Sequence, residues 1–364
     1  MKRRDFLTSL GTGALAATSI AACARQETTS RTSRSDQTFR WKLATTWPPN
    51  FPGLGTGAND LAEMIEAVSG GRLTIQVYGG GELVPAFETF DAVSRGTVEM
   101  GHSAAYYWKG KTEACQFFAS IPFGMNAQEM NGWLYHGGGW DLWREVYAPF
   151  NILPAPCGNS GVQMGGWFHR EINSIDDLKG LNMRIPGLGG EVLRRAGGTP
   201  VSLPGGEIFT ALQTGSVDAS EWIGPYNDLA FGLYQAAKYY YYPGWHEPGS
   251  TLEALINKDA FEALPADLQA IVLTCCRAIN DNMLAEYTAR NHEALRVLID
   301  EHGVELRRFP DAVLSKLKEL ADEVLDEIAA GDALFKKVYD RYRTFRDQVA
   351  AWHAISEQAI YESR

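Results

Sequence analysis

The sequence predicts an α/β protein of two domains arranged as a clamshell, with hinge strands between them and a long C-terminal helix. Three observations predict it. A β-α-β-α-β pattern runs over residues 39–103, the same pattern restarts over 174–222, and strand-like segments at 161–169 and 239–256 cross between the two runs. Strand–helix alternation of this kind builds a mostly parallel sheet with helices on both faces. Two such units joined by more than one crossing form a hinged pair with a cleft between them.

The elements follow in order. Residues 39–45 read as a strand, followed by a Pro/Gly loop at 46–55. A helix is expected over 59–68, with Leu61, Met64 and Ile65 on one face and Gly70-Gly71 ending it. Strands at 72–78 and 98–103 flank a helix at 85–94, and 130–150 is a tryptophan-rich helical stretch before a strand at 152–157. After the crossing at 161–169, Ser174 caps a turn, and strands are expected at 183–185, 199–202 and 217–222, with helices at 190–196 and 208–214 between them. Strands at 239–242 and 252–256 lead back to the first domain. Helices then fill 265–303, with breaks, and 311–329. In the last helix Phe335, Val338, Tyr342, Phe345, Val349 and Trp352 alternate spacings of three and four, a narrow seam that suits either its own domain or a partner helix. The expected organisation is a leader at 1–23, a tether at 24–38, domain I from 39–160 and 250–310, domain II from 161–249, and C-terminal helices at 311–364.

The chain has 364 residues, 45% hydrophobic and 21% charged, with a formal charge of -11 and no basic stripe. That length suits two domains and an appendage. The charge argues against nucleic acid and anionic membrane surfaces as partners. At the N-terminus, the paired Arg3-Arg4 followed by Phe6-Leu7 resembles a twin-arginine export signal. Cys23 follows Ile20-Ala21-Ala22 as in a lipobox, where it would carry lipid; ordinary cleavage near Ala21 or Ala22 is the alternative. The remaining cysteines, Cys115, Cys157, Cys275 and Cys276, lack zinc-ligand spacing and read as buried thiols.

The candidate site residues lie near expected strand ends, where ligand crevices of open α/β sheets form. Arg184, in Asn182-Met183-Arg184-Ile185-Pro186, offers parallel N–H donors to both oxygens of a carboxylate; pairing with Asp176 or Asp177 is the structural alternative. Glu221, before Trp222, reads as a hydrogen-bonded core acid or, with Gln163, as a hard oxygen donor for sodium or calcium. Glu247 adds another oxygen at the expected hinge, or is a turn residue. His102, His169 and His246 fall near the cleft without metal-ligand or triad spacing. No Gly-x-Ser-x-Gly, phosphate loop or dinucleotide fingerprint occurs, and no nucleophile stands with a base, so an enzyme is not expected.

Several stretches together resemble the extracytoplasmic solute-binding proteins of TRAP transporters, the dicarboxylate-type family, and within it the dimeric 2-oxoacid and lactate binders. They are residues 158–168, 177–187, 203–208, 211–222 and 239–250. The resemblance implies a periplasmic-binding-protein clamshell that captures a small monocarboxylate, a 2-oxoacid such as pyruvate or else lactate, and delivers it to TRAP membrane subunits. It implies that Arg184 grips the ligand carboxylate. It gives Gln163, Glu221, Trp222 through its carbonyl, and Glu247 to a sodium or calcium ion bridging the ligand, leaving Arg184 free for substrate. Asn159 and Tyr106 or Tyr107 become ligand contacts, and the C-terminal helix a homodimer contact. A periplasmic location follows, freely diffusing or anchored at Cys23. A ligand sensor for a membrane receptor would share this pocket; a secreted enzyme on a small organic acid would need the missing nucleophile or base.

Overall fold

The computed structural model describes residues 37–364. The leader at 1–23 with Cys23, and the tether apart from its last two residues, lie outside the described residues. The rest is an α/β fold on two sheets. The first is 5-stranded, in the order β2-β1-β3-β10-β4. It comprises β1 (Phe39–Thr45), β2 (Leu73–Tyr78), β3 (Met100–Ser103), β4 (Ile152–Asn159) and β10 (Thr251–Asn257). The strands β1, β2 and β3 are parallel, whereas β10 runs antiparallel between β3 and β4. The second sheet is 6-stranded, in the order β11-β9-β5-β8-β6-β7. It comprises β5 (Gly166–Phe168), β6 (Asn182–Arg184), β7 (Thr199–Val201), β8 (Ala219–Ser220), β9 (Tyr239–Tyr242) and β11 (Glu305–Arg308).

The first lobe carries α1 (Leu54–Ser69), α2 (Thr89–Ser94), α3 (Ala127–His136) and α4 (Gly139–Tyr147). Helix α1 buries Leu54, Ala58, Leu61 and Ile65, a three-to-four-residue stripe, and ends at Gly70 in the left-handed conformation. The tryptophan-rich stretch forms the back of this lobe: the Phe118 ring stacks between Trp133 and Trp143, with centroids 5.6 and 5.0 Å away. The second lobe carries α5 (Gly187–Arg195), α6 (Gly205–Gln213) and α7 (Pro225–Phe231). Beyond a short α8 (Lys258–Glu262) come α9 (Ala266–Asp300), α10 (Asp311–Gly331), α11 (Ala333–Ile355) and α12 (Glu357–Glu362). Helix α9 packs along β4, α1 and α7, so it touches both lobes. Among the described residues no helix is long and apolar enough to cross a membrane.

Three details differ from the sequence reading. Tyr239–Tyr242 does not return to the first sheet; it pairs with β5 and β11 in the second, and only β10 returns. Residues 305–308, placed with domain I at 250–310, form β11 in the second sheet, where parallel pairing with β9 satisfies the backbone of both. The region at 265–303 has no break, since α9 is a single helix of 35 residues. The C-terminal seam is partly consumed within the chain. Phe335, Val338 and Tyr342 are buried, and the Phe335 and Tyr342 rings pack on Phe117, with Tyr342 also edge-on to Trp133.

Candidate functional site

Strands β6 and β8 are neighbours running in parallel, with Arg184 opposite Ser220. Their carboxyl ends therefore bring Arg184 and Glu221 together, and the Glu221 amide donates to the Arg184 carbonyl at 3.2 Å. Pro186 and Gly187 turn the chain at once into α5. Gly187 has φ +61, and a Cβ there would lie 3.1 Å from Tyr106 Cβ, so this turn needs glycine on both counts.

Arg184 is 1% exposed and Glu221 is fully buried. Arg184 Nη1 forms an ion pair with Glu221 Oε1. Its Nη2 donates to Tyr107 Oη at 3.1 Å, and both Nε and Nη2 donate to the Leu203 carbonyl at 3.2 Å. The guanidinium also lies 5.2 Å from the Trp222 ring centroid. Neither aspartate considered as its structural partner reaches it: Asp176 pairs with Lys179 at 2.7 Å, and Asp177 accepts the Asn173 and Ser174 amides at 2.9 and 2.8 Å. The partner is Glu221 instead, so in this structure the arginine is not free.

The other Glu221 oxygen faces a second group. His246 Nε2 lies 3.3 Å from Glu221 Oε2, and Glu221, His246 and Glu247 each offer one ligand atom, all within 4.8 Å of one another. Gln163 Nε2 donates to Glu247 Oε2 at 2.8 Å, and Ser250 Oγ donates to the same carboxyl oxygen. Gln163 Oε1 is buried without a protein donor. Burial, then the neighbouring Glu221 charge, pushes the Glu247 carboxyl up. Burial likewise pushes the Tyr106 and Tyr107 hydroxyls up, so both stay protonated donors.

Asn159 is buried at the end of β4 but engaged in the crossing: Oδ1 accepts the Gly161 amide at 2.8 Å and Nδ2 donates to Thr251 Oγ1 at 3.3 Å. Trp222 packs against Trp47, Phe51 and Phe231, with ring centroids 6.2, 6.3 and 5.2 Å away. Trp47 is held in turn by His102, whose pKa burial lowers to about 4. The neutral ring accepts Trp47 Nε1 at Nδ1 (2.8 Å) and donates from Nε2 to the Cys157 carbonyl (2.9 Å). Outside this aromatic wall is a cavity of about 400 Å³ lined by Trp47, Pro48, Phe87, Pro204, Gly206 and Glu207.

The structure thus gathers Arg184, Tyr107, Glu221, Trp222, Gln163 and Glu247. Sequence reasoning noted His246 near the cleft but saw no partner for it, because its partner Glu221 is 25 residues away in the chain. The four cysteines of the described residues are buried and free.

The profile of the bacterial extracellular solute-binding proteins, family 7, matches residues 43–332. This chain belongs to that family. The monocarboxylate 2-oxoacid-binding periplasmic protein of Nostoc sp. is 43% identical over 357 residues, covering 98% of this chain and 97% of the relative. A TRAP periplasmic solute-binding protein of Pseudoalteromonas atlantica, solved with bound sodium and pyruvate, superposes with a TM-score of 0.88 at 43% identity, covering 90% of this chain and 100% of that one. A TRAP transporter solute-binding protein of Bordetella bronchiseptica, a mixed-occupancy dimer with calcium and picolinate at one site, has a TM-score of 0.89 at 39% identity, covering 90% and 97%. The family 7 fold is a two-domain binding clamshell, as the two sheets here are. The converging donors are the Glu221 and Glu247 carboxylates with the His246 ring nitrogen, and the buried, unpartnered Gln163 Oε1 lies on the side chain that bonds Glu247; the oxygens of this set fit a hard cation.

Proposed function

We propose that this family 7 protein is a TRAP solute receptor for a small 2-oxo- or 2-hydroxymonocarboxylate, bound together with a sodium or calcium ion and passed to TRAP membrane subunits. One observation carries the reading: a single buried guanidinium stands beside two buried carboxyl groups. Glu221 balances Arg184, and Glu247 adds a second acid to the same buried space. A buried carboxylate in excess requires a proton or a cation. A bound cation would supply the missing positive charge and an attachment point for ligand oxygens. Gln163 Oε1, Glu221, the Trp222 carbonyl and Glu247 are the residues to hold it. The Nostoc relative's 2-oxoacid and the sodium with pyruvate in the Pseudoalteromonas protein support this choice.

In this reading Arg184 pairs with the ligand carboxylate, Tyr107 holds the guanidinium through its hydroxyl, and Tyr106, edge-on to the Tyr107 ring at 4.8 Å, contacts the ligand. Asn159 shapes the cleft through the crossing. As the solute-binding family suggests, the protein is a receptor that binds its ligand without turnover. Export brings it to the periplasm, and the C-terminal helices join two copies.

The test is calorimetry with pyruvate in sodium, calcium and chelated buffers. Binding should require the cation, and Arg184→Ala should abolish it, a loss of about 2–5 kcal/mol for a buried charge left unpaired. Retained affinity in Arg184→Ala would remove the carboxylate role. Equal affinity in all buffers would remove the cation.

A further inference from the structure

Ile223 joins the three segments assigned above to the cation. Its carbonyl accepts the Met164 amide at 2.8 Å, one residue after Gln163, whose own amide donates to the Glu247 carbonyl at 3.1 Å. Its amide, the nitrogen of the Trp222–Ile223 peptide, donates to Asp228 Oδ1 at 3.3 Å. The other Asp228 oxygen accepts Trp167 Nε1 at 2.9 Å and Tyr240 Oη at 2.7 Å. Asp228 is 1% exposed, and among the described residues it takes part in no ion pair. A buried carboxyl with three donors and no counter-charge costs more than an apolar side chain would, so a role beyond filling space is called for.

We propose that Asp228 is a positioning residue for the cation site. A peptide is planar, with its N–H and C=O pointing opposite ways. Holding the Ile223 amide therefore fixes the direction of the Trp222 carbonyl, the neutral backbone oxygen of the ligand set. Accepting that N–H also polarises the carbonyl, which strengthens it as a donor to a cation. Trp167 and Tyr240, on β5 and β9, both donate to the second carboxyl oxygen, so the carboxyl stays tethered when either one is lost. The inference rests on the cation reading above.

The experiment titrates sodium or calcium at saturating pyruvate for wild type, Asp228→Ala, Asp228→Asn and Tyr240→Phe. In parallel, amide hydrogen exchange at Ile223 is measured without cation. Losing a partner that orients a ligand typically lowers metal affinity by about ten- to hundred-fold. That shift of the cation midpoint is expected for Asp228→Ala, together with faster Ile223 exchange and pyruvate affinity near wild type once cation saturates. Asp228→Asn keeps an oxygen for Ile223 while turning an NH2 toward the donor-only Trp167 Nε1, so it should lower stability yet recover most of the midpoint and of the Ile223 protection. Tyr240→Phe removes a core hydroxyl without touching Ile223, so it should lower stability and leave the midpoint in place. If Asp228→Ala does not fold, Asp228→Asn and Tyr240→Phe decide: a midpoint that follows Tyr240→Phe rather than Asp228→Asn overturns the proposal. Wild-type midpoints in the Asp228 variants, against a cation-dependent wild type, overturn this inference alone. A wild type indifferent to cation overturns the cation reading and this inference with it.

Discussion

Glu253 shows how much one buried acid shapes this protein. It lies on β10, in the middle of the first sheet, and accepts Trp108 Nε1 at one oxygen while the Tyr147 hydroxyl lies 2.9 Å from the other. Burial pushes its carboxyl up to about 8, the two donors opposing that shift without cancelling it. In the unfolded chain a glutamate titrates near about 4.3. Between these values the folded state holds a proton that the unfolded state has lost, so stability is full below pH ~4.3 and falls as pH rises toward 8. Glu253→Gln should remove that slope. The amide oxygen can accept from Trp108 and the NH2 can donate to Tyr147, keeping both contacts uncharged. Thermal melts from pH 5 to 8 should show the variant gaining on wild type as pH rises; parallel curves would mean the acid is not held neutral. Because Trp108 follows Tyr107, the same bond also steadies the turn that sets Tyr107 on Arg184. At this scale the sequence was legible where chemistry sits at a strand end, as with Arg184 and Glu221. It was not legible for Glu253, His246 or Asp228, whose meaning comes from partners far away in the chain: Trp108 and Tyr147, Glu221, and Trp167 with Tyr240.

Among the elements, α6 is set directly on the site. Its first residue, Gly205, would place a Cβ 2.6 Å from the Trp222 ring, which Trp47, Phe51 and Phe231 hem in on other sides. Gly205→Ala should therefore overpack the wall, costing about 1–3 kcal/mol of stability. By displacing Trp222 from Arg184 it should also weaken pyruvate binding in calorimetry. An alanine variant with wild-type affinity would show that the Trp222 ring has room to move. Elements with a long apolar period were readable: β1 and β10 lie close to their expected bounds, and α1 ends where expected but starts at Leu54, inside the Pro/Gly loop, rather than at 59. The short ones were not. Helix α7 spans only 7 residues and opens on Gly224-Pro225, which reads as a turn, yet it links the lobes: Asn227 Nδ2 donates to the Pro52 carbonyl at 2.9 Å, and Phe231 stacks on Phe51 at 4.2 Å. Strand β8, 2 residues long, was expected at 217–222; Ala219 and Ser220 pair with both neighbouring strands, while Asp218 and Glu221 flank them with single backbone bonds to Asn182 and Arg184. Length decides this, since a pattern of two or three residues has no period to detect.

For the whole molecule the C-terminal helices are the open face. Helix α10 packs on α5 in the second lobe, while α11 packs on the first, where Tyr342 Oη accepts the Met125 amide at 2.8 Å and Lys337 pairs with Glu145 at 2.6 Å. The last hold on the lobe is His353 Nδ1, 2.7 Å from Glu129 Oε1. Around and beyond it, Trp352, Ile355, Ile360 and Tyr361 are 60, 75, 54 and 68% exposed. Large apolar side chains concentrated in so short a stretch mark a contact surface, and in the dimer proposed above a second copy would offer the same stretch in return. The heptad pattern thus grades along the helix: Phe335, Val338 and Tyr342 are core of the same chain, Phe345 and Val349 pack partly buried against it, and Trp352 at the end of the seam is exposed. The double variant Trp352→Ser with Ile355→Ser should keep its melting temperature as a monomer, because neither side chain is buried. By light scattering after gel filtration its mass should fall from two chains to one, while pyruvate binding persists, since Arg184 and its partners all come from one chain. A wild type of single-chain mass, or a variant that remains paired, would place the dimer contact elsewhere or deny it.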